Sequence, residues 1–220
     1  HACFYFEWNN KRFIIDPFIS PNALASDIDL DAIQVDYILL THGHQDHVAD
    51  VERICKNNPE AIIISNYEIV TWFGQKNIGG HPMNHGGKKN FEFGTIKYVS
   101  AIHSSLLPDG SYGGNPGGFV FWDDRLSFYF AGDTALTYDM KLIPMLCPKL
   151  NFAVLPIGDN FTMGYEEALL ASQFIECKKI IGCHFDTFPP IEIDKSIVTQ
   201  AFENKEINLR LPKIGEIIEF

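Results

Sequence analysis

Apolar residues fall in short blocks separated by polar, Gly- or Pro-bearing turns, the pattern of strands buried on one or both faces. ACFYFEW and KRFIIDPF flank Asn9-Asn10, so the chain opens with a hairpin, and Pro17 stops its second strand because it cannot donate to a ladder. VDYILL (35–40) reads as a buried strand, followed by a loop and a helix over about 48–57. AIIIS (61–65) predicts another strand, and YEIVTWFGQKN (67–77) a short helix ending before Gly79-Gly80. Residues 79–94 read as a Gly-rich loop leading into the strand TIKYVSAI (95–102). A Gly/Pro loop (108–117) precedes a second hairpin, GFVFW and RLSFYFA, turning at Asp123-Asp124.

From Thr134 the period changes. A short helix near 137–146 is followed by strand NFAVLPI (151–157), helix 166–178, strand KIIGC (179–183), helix 194–206 and a closing strand near 215–219. In the helix from Glu166, Leu170, Phe174 and Cys177 recur at i, i+4 and i+7 and predict an inward stripe. With no repeat, low-complexity tract or charged linker, the expectation is one α/β domain over residues 1–220 with two β-rich halves.

Composition narrows the function by exclusion. Of 220 residues, 46% are hydrophobic, enough for a core, yet no apolar run reaches the roughly 18 residues of a membrane span. Against 28 acidic side chains stand 17 basic ones in no run longer than a pair such as Lys88-Lys89, which argues against bulk nucleic-acid binding and leaves a small-molecule substrate. Five cysteines at irregular spacing, without a CxxC pair, are expected to be reduced, in the cytoplasm. The chain starts at His1 without an initiator Met or a leader pattern, so residues upstream are expected. The oligomeric state leaves no mark in the sequence.

The chemistry gathers in His42-Gly43-His44-Gln45-Asp46-His47. His42 and His44, at i and i+2 after a strand, bring two imidazoles onto one cation, and Gly43 lets the backbone bend between them. Asp46 and His47, at the start of the next helix, suit a second cation beside the first. Three more strands end on a ligand type: VSAI before His103, FYFAG before Asp133 and KIIGC before His184. Singly, each of these histidines reads as a core or loop residue; together, four strand ends carrying His or Asp make a site along one sheet edge.

HGHQDH, then a lone His, then GDT, then a late His resembles the signature of the metallo-β-lactamase superfamily, HxHxDH followed by three ligands in that order. The resemblance spans essentially the whole chain and implies a four-layer αβ/βα sandwich. It assigns His42, His44 and His103 to one metal, Asp46, His47 and His184 to a second, and Asp133 to a bridge between them. IDPF (15–18), GGFVF (117–121), AGDT (131–134), LPIGDNFTMG (155–164) and HFDTFPP (184–190) are similar to bacterial and archaeal metal-dependent hydrolases related to ascorbate-phosphate lactonases. Typical members of that family begin a few residues upstream, so the first strand is expected to be cut short here.

Two divalent ions about 3.5–4 Å apart share a water and lower its pKa from about 15.7 toward about 7, making a bridging hydroxide the expected nucleophile toward a phosphodiester, lactone or other ester. Zinc is the expected metal, with manganese, nickel or iron as alternatives that imidazole and carboxylate ligands also suit. Asp46 is the candidate to orient the hydroxide or relay a proton. Asp16, closing the FIID strand, is expected to hydrogen-bond a ligand imidazole, and Asp159, Asn160, Phe161 and Thr162 to face substrate from the next strand end. His81 and His85 read as solvated loop histidines, His1 is left outside the site, and Cys183 reads as a small buried hydrophobe. Two other classes stay open: an iron-dependent oxidoreductase, whose oxygen-reducing members usually place Glu where His44 stands, and a metal-free binding module, which would show eroded ligands.

Overall fold

The apolar blocks resolve into two sheets in a computed structural model that describes residues 1–219. β1 (Phe4–Trp8), β2 (Lys11–Ile15), β3 (Tyr37–Leu39), β4 (Ile62–Asn66) and β5 (Gly80–Met83) lie side by side in that order. The second sheet, also in sequence order, holds β6 (Lys88–Phe91), β7 (Gly94–Ser100), β8 (Gly117–Trp122), β9 (Ser127–Phe130), β10 (Phe152–Pro156), β11 (Lys179–Cys183) and β12 (Asn208–Arg210). Helices α1 (Gln45–Val48), α2 (Val51–Asn57) and α3 (Tyr67–Gly74) belong to the first half, and α4 (Leu142–Leu146), α5 (Tyr165–Phe174) and α6 (Lys195–Glu203) to the second.

Strand alternation divides the buried side chains into three cores. Phe13, Ile15, Tyr37, Leu39 and Ile64 face one way from the first sheet and meet Ile96, Tyr98, Phe119, Phe121, Phe128, Phe130 and Phe152 of the second. Their neighbours in sequence, Ile14, Ile38 and Ile63, face the other way onto Val51, Ile54, Ile69 and Phe73 of the first helical layer. Val120, Tyr129, Ala153 and Ile180 likewise turn outward onto Ala168, Ala171, Val198 and Phe202. Three cores between four layers make the αβ/βα sandwich expected from the sequence. Phe supplies the inter-sheet core as a cross-strand ladder: Phe121 stacks on Phe128 at 4.6 Å and Phe128 on Phe152 at 4.9 Å. Such pairs add about 0.5–1.5 kcal/mol each beyond area burial.

The opening hairpin turns at Asn9 and Asn10, with φ of 48° and 61°, the left-handed pair a tight two-residue turn requires. Three expectations are corrected. Residues 79–94 are not one loop: they contain β5, parallel to β4, and β6, antiparallel to β7, so each sheet gains an edge strand. The polar and glycine content that hid them fits edges, which face solvent on one side. The closing strand is β12, parallel to β11, not residues 215–219, because the chain returns to the sheet edge directly after α6. The buried residues of α5 are Ala168, Ala171 and Ser172, while Leu170 is exposed and Cys177, though buried, lies past the helix end. Small residues let this helix settle close on the sheet, which a count of large hydrophobes misses.

The topology positions the site. β9, β10 and β11 are parallel, and β7 runs the same way because two antiparallel steps separate it from β9. β2 and β3 are also parallel, so their C-terminal ends share one edge. Among the described residues no helix is long and apolar enough to cross a membrane.

Candidate metal centre

Each expected ligand type sits just beyond a strand end, where the backbone leaves the ladder and side chains are free to turn inward. Asp16 follows β2, His42 follows β3, Asp133 follows β9 and His184 follows β11. His44 caps α1, and Asp46 and His47 occupy its only turn. Asp16 and His184 hold φ of 45° and 56°, a region that costs a non-glycine residue of order 1–3 kcal/mol and clusters at functional sites. Before Asp133, Gly132 has φ of 65°, and a Cβ there would stand 2.7 Å from the Thr41 Cβ, so only glycine fits. Gly43 serves differently from the expected bend: its φ is not left-handed, and a Cβ would press on Leu107 at 3.2 Å. Its amide donates to Ser105 Oγ at 3.0 Å, so the missing side chain lets loop 104–107 close on the histidine segment.

The seven residues of the signature converge. Asp133 Oδ2 lies 2.9 Å from His184 Nε2, 3.3 Å from His47 Nε2, 3.6 Å from His103 Nε2 and 4.0 Å from His42 Nε2. On one side of it, His42, His44 and His103 bring one nitrogen each within 4.8 Å of one another. On the other, Asp46, His47 and His184 form a second such group, joined by a fourth residue, His1.

Hydrogen bonds fix which nitrogens face inward. Asp16, fully buried, accepts from Thr41 N at 2.8 Å, Thr41 Oγ1 at 2.6 Å and His47 Nδ1 at 2.9 Å. With its proton given to Asp16, the Thr41 hydroxyl accepts from His42 Nδ1 at 3.0 Å. One carboxylate therefore holds both rings by Nδ1, directly and through Thr41, and so turns each Nε2 toward Asp133. Ser104 Oγ engages His44 Nε2 at 3.2 Å, while His44 Nδ1 faces His42 Nε2 at 3.0 Å.

Protonation follows the same division. Burial pushes His42 well below the ordinary imidazole range, and His44 and His103 below it by less. Burial also works against charge on His47, but Asp133 and Asp16 together outweigh it and hold that ring well above the usual value. Asp133 is held well below the carboxylate range, because His47 and His184 outweigh its burial.

Whether this set suits a cation can be judged from its unpaired atoms. Among the described residues, the buried side-chain nitrogens and oxygens with no hydrogen-bond partner are His47 Nε2, both ring nitrogens of His184, Asp133 Oδ1 and the Tyr129 hydroxyl. Four of these five belong to the cluster. His184 Nε2 comes within 2.9 Å of Asp133 without the alignment of a hydrogen bond, as donors aimed at a common third body do. Imidazole nitrogens and a carboxylate oxygen buried and unpaired together fit a divalent ion, because leaving such groups orphaned is otherwise costly.

Of the residues expected to face substrate, Phe161 is exposed, while Thr162 is buried with its hydroxyl toward Met163 O at 3.4 Å. Their turn is tied to the cluster through Met163 N, which donates to Thr134 O beside Asp133. Asp159 and Asn160 line a groove with Glu166, Glu192 and Asp194 at the start of α5 and α6. His81, half-buried against Phe91, and His85, on Pro116 O at 2.8 Å, stay outside the cluster. Cys183 lies in the inter-sheet core, where burial pushes its thiol up, and all five cysteines are free. Sequence reasoning missed His1, Thr41 and Ser104. A hydroxyl directly before the first histidine was the available signal for Thr41; His1 and Ser104 gave none stronger than adjacency to a strand and to His103.

The Beta-lactamase superfamily domain matches residues 11–185, a span that holds every residue of the cluster except His1. The chain belongs to the metallo-β-lactamase superfamily. A UPF0173 metal-dependent hydrolase of Flavobacterium johnsoniae is 56% identical over 219 residues, covering 100% of this chain and 96% of that protein. Igni18, a metallo hydrolase of the archaeon Ignicoccus hospitalis, superposes with a TM-score of 0.88 at 32% identity, over 100% of this chain and 96% of its own. By this kinship the chain is a metal-dependent hydrolase. CmlA, a diiron β-hydroxylase of Streptomyces venezuelae, has a TM-score of 0.73 at 12% identity over 97% of this chain and 52% of its own, a likeness of fold alone.

Proposed function

We propose that the chain is a dinuclear hydrolase, with His42, His44 and His103 holding one divalent ion, Asp46, His47 and His184 the other, and Asp133 between them. One observation carries this reading: Asp133 Oδ2 is within 4.0 Å of an Nε2 atom from both groups, and the inward atoms His47 Nε2, His184 Nε2 and Asp133 Oδ1 are buried without partners. Divalent ions held there supply an acidified water at neutral pH and polarise a carbonyl or phosphoryl oxygen. Asp16 and Thr41 keep the His42 and His47 Nε2 atoms pointed inward. Asp46, with 29% of its side chain accessible, is the carboxylate able to pass a proton between the site and the leaving atom.

Three exposed apolar side chains on segments joined to the cluster support a carboxylic ester or lactone over a phosphodiester. Ile102 and Phe161, exposed at 57% and 53%, are tied through their own segments to Thr134, beside Asp133. Leu106, exposed at 54%, belongs to the loop that closes on Gly43. These side chains offer apolar contact to an acyl chain and no charge to a phosphate. The test is metal content per chain by elemental mass spectrometry on protein purified without a metal-binding tag, followed by paired assays on lactone, aryl ester and phosphodiester substrates. Two equivalents of zinc, manganese or nickel with acyl turnover support the reading. A single equivalent overturns the dinuclear assignment, iron with oxygen consumption redirects it to redox chemistry, and a chain that cannot be loaded overturns it entirely.

A further inference from the structure

His1 stands outside the signature, yet its ring occupies the second half of the cluster. Its side chain is fully buried, with Nε2 3.0 Å from Asp46 Oδ2 and Nδ1 3.1 Å from Thr187 Oγ1. Phe18 and Phe188 wall the ring at 5.2 and 5.4 Å, and the His184 ring lies 4.1 Å away. The backbone adds a clamp, since His184 N donates to His1 O at 3.2 Å. His1 thus lies against all three residues assigned to the second ion, with the His47 ring at 5.4 Å, and against none of those assigned to the first.

We infer that His1 is a positioning residue for the second ion, a role that rests on the dinuclear reading above. A carboxylate only accepts, so Nε2–H donates to Asp46, and in the neutral ring Nδ1 then accepts from the Thr187 hydroxyl. That chain from residue 187 through His1 to residue 46 supplies what Asp46 lacks. α1 is four residues long, and its Asp46 carboxylate is partly open to solvent, so its rotamer is held from outside the helix. The hairpin that carries His1 is thereby an element of the centre and not only an edge of the first sheet.

The test compares wild type with His1→Ala, His1→Gln and Thr187→Val, reading stepwise zinc binding by chelator competition and elemental analysis, with thermal melting as a check of folding. His1→Ala is expected to weaken the second zinc about 10–100-fold, the usual range for removing an outer hydrogen-bond partner, and to change the first by less than about twofold. His1→Gln, which can place an amide donor near the Nε2 position, recovers most of that loss, and Thr187→Val shows a smaller loss in the same direction. A His1→Ala titration that superimposes on wild type overturns the inference, and so does equal weakening of both steps, which marks a packing role. A wild-type chain that binds no second zinc overturns the dinuclear reading itself, and this inference falls with it. Because Thr187→Val leaves the ring in place, it keeps the test decisive if His1→Ala does not fold.

Discussion

The two halves of the cluster share Asp133 but are built on opposite electrostatic terms. His42, His44 and His103 are neutral rings whose proton affinity is lowered first by burial. The other half is ionic: His47 is held charged between Asp133 and Asp16, with His184 on the far side of Asp133. A cation entering the first half displaces no proton, whereas one entering the second must displace the proton on His47 Nε2. The same residue type thus gives a ready site in one place and a proton-occupied one a few ångströms away, and the difference lies in which carboxylates stand behind the rings.

Removing the shared group tests the comparison most severely. Asp133→Asn is expected to abolish hydrolysis and to lower both metal affinities, while leaving charged His47 without its main counter-ion costs the metal-free chain about 3–5 kcal/mol. Denaturant unfolding and metal analysis read both effects, and a variant that keeps two tightly bound ions would falsify the bridging assignment. Next in size is Asp16→Asn, expected to weaken the second ion about 10–100-fold because His47 loses the bond that orients it. Its hold on the first ion passes only through Thr41, so that affinity should fall by less; equal losses would erase the distinction between the halves.

The pH dependence of metal-free stability separates the halves without mutation. His47 has a raised folded pKa, so its contribution is complete below the unfolded value of about 6.5 and is lost as pH rises through the folded value. His42, His44 and His103 have lowered folded values, so what they contribute is complete above about 6.5 and is lost as pH falls toward those values. Thermal melting of the metal-free chain should therefore be highest near pH 6.5, with His47→Ala flattening the alkaline side and His42→Ala the acid side. A curve unchanged by either substitution would remove the electrostatic contrast. The smallest effect belongs to the buried unpaired side-chain atom that lies outside the cluster among the described residues: Tyr129→Phe should leave metal content untouched and change stability by about 1 kcal/mol or less, toward greater stability.

Much of the centre was legible because its signal is dense and local. HGHQDH places four potential ligands in six positions, and the lone His, the GDT and the late His follow it in the order of a known family. One α/β domain with two β-rich halves was legible in the order of apolar blocks, and the four layers in the family resemblance; that Phe13 and Ile15 enter one core and Ile14 another appears only in the folded chain. Edge strands β5 and β6 were not, because Gly80, Pro82 and Lys88 carry the composition of a turn and only pairing with β4 and β7 makes them strands. The α5 stripe was misread for a related reason: Ala168 and Ala171 are buried by close approach to the sheet, which depends on the partner surface.

The sequence by itself determined which chemistry was available and in what order along the chain: imidazoles and carboxylates at strand ends, and strand-sized apolar blocks sufficient for an α/β domain. Those are properties of residue type and spacing, readable wherever the relevant contacts span only a few positions. Only the tertiary structure decided that His1 meets Asp46 across 45 residues, that Asp16 and Thr41 orient the rings of His42 and His47, and that the proton affinity of His42 falls while that of His47 rises. Proton affinity depends on burial and on charges brought near by folding, and neither quantity exists until distant strand ends share one edge.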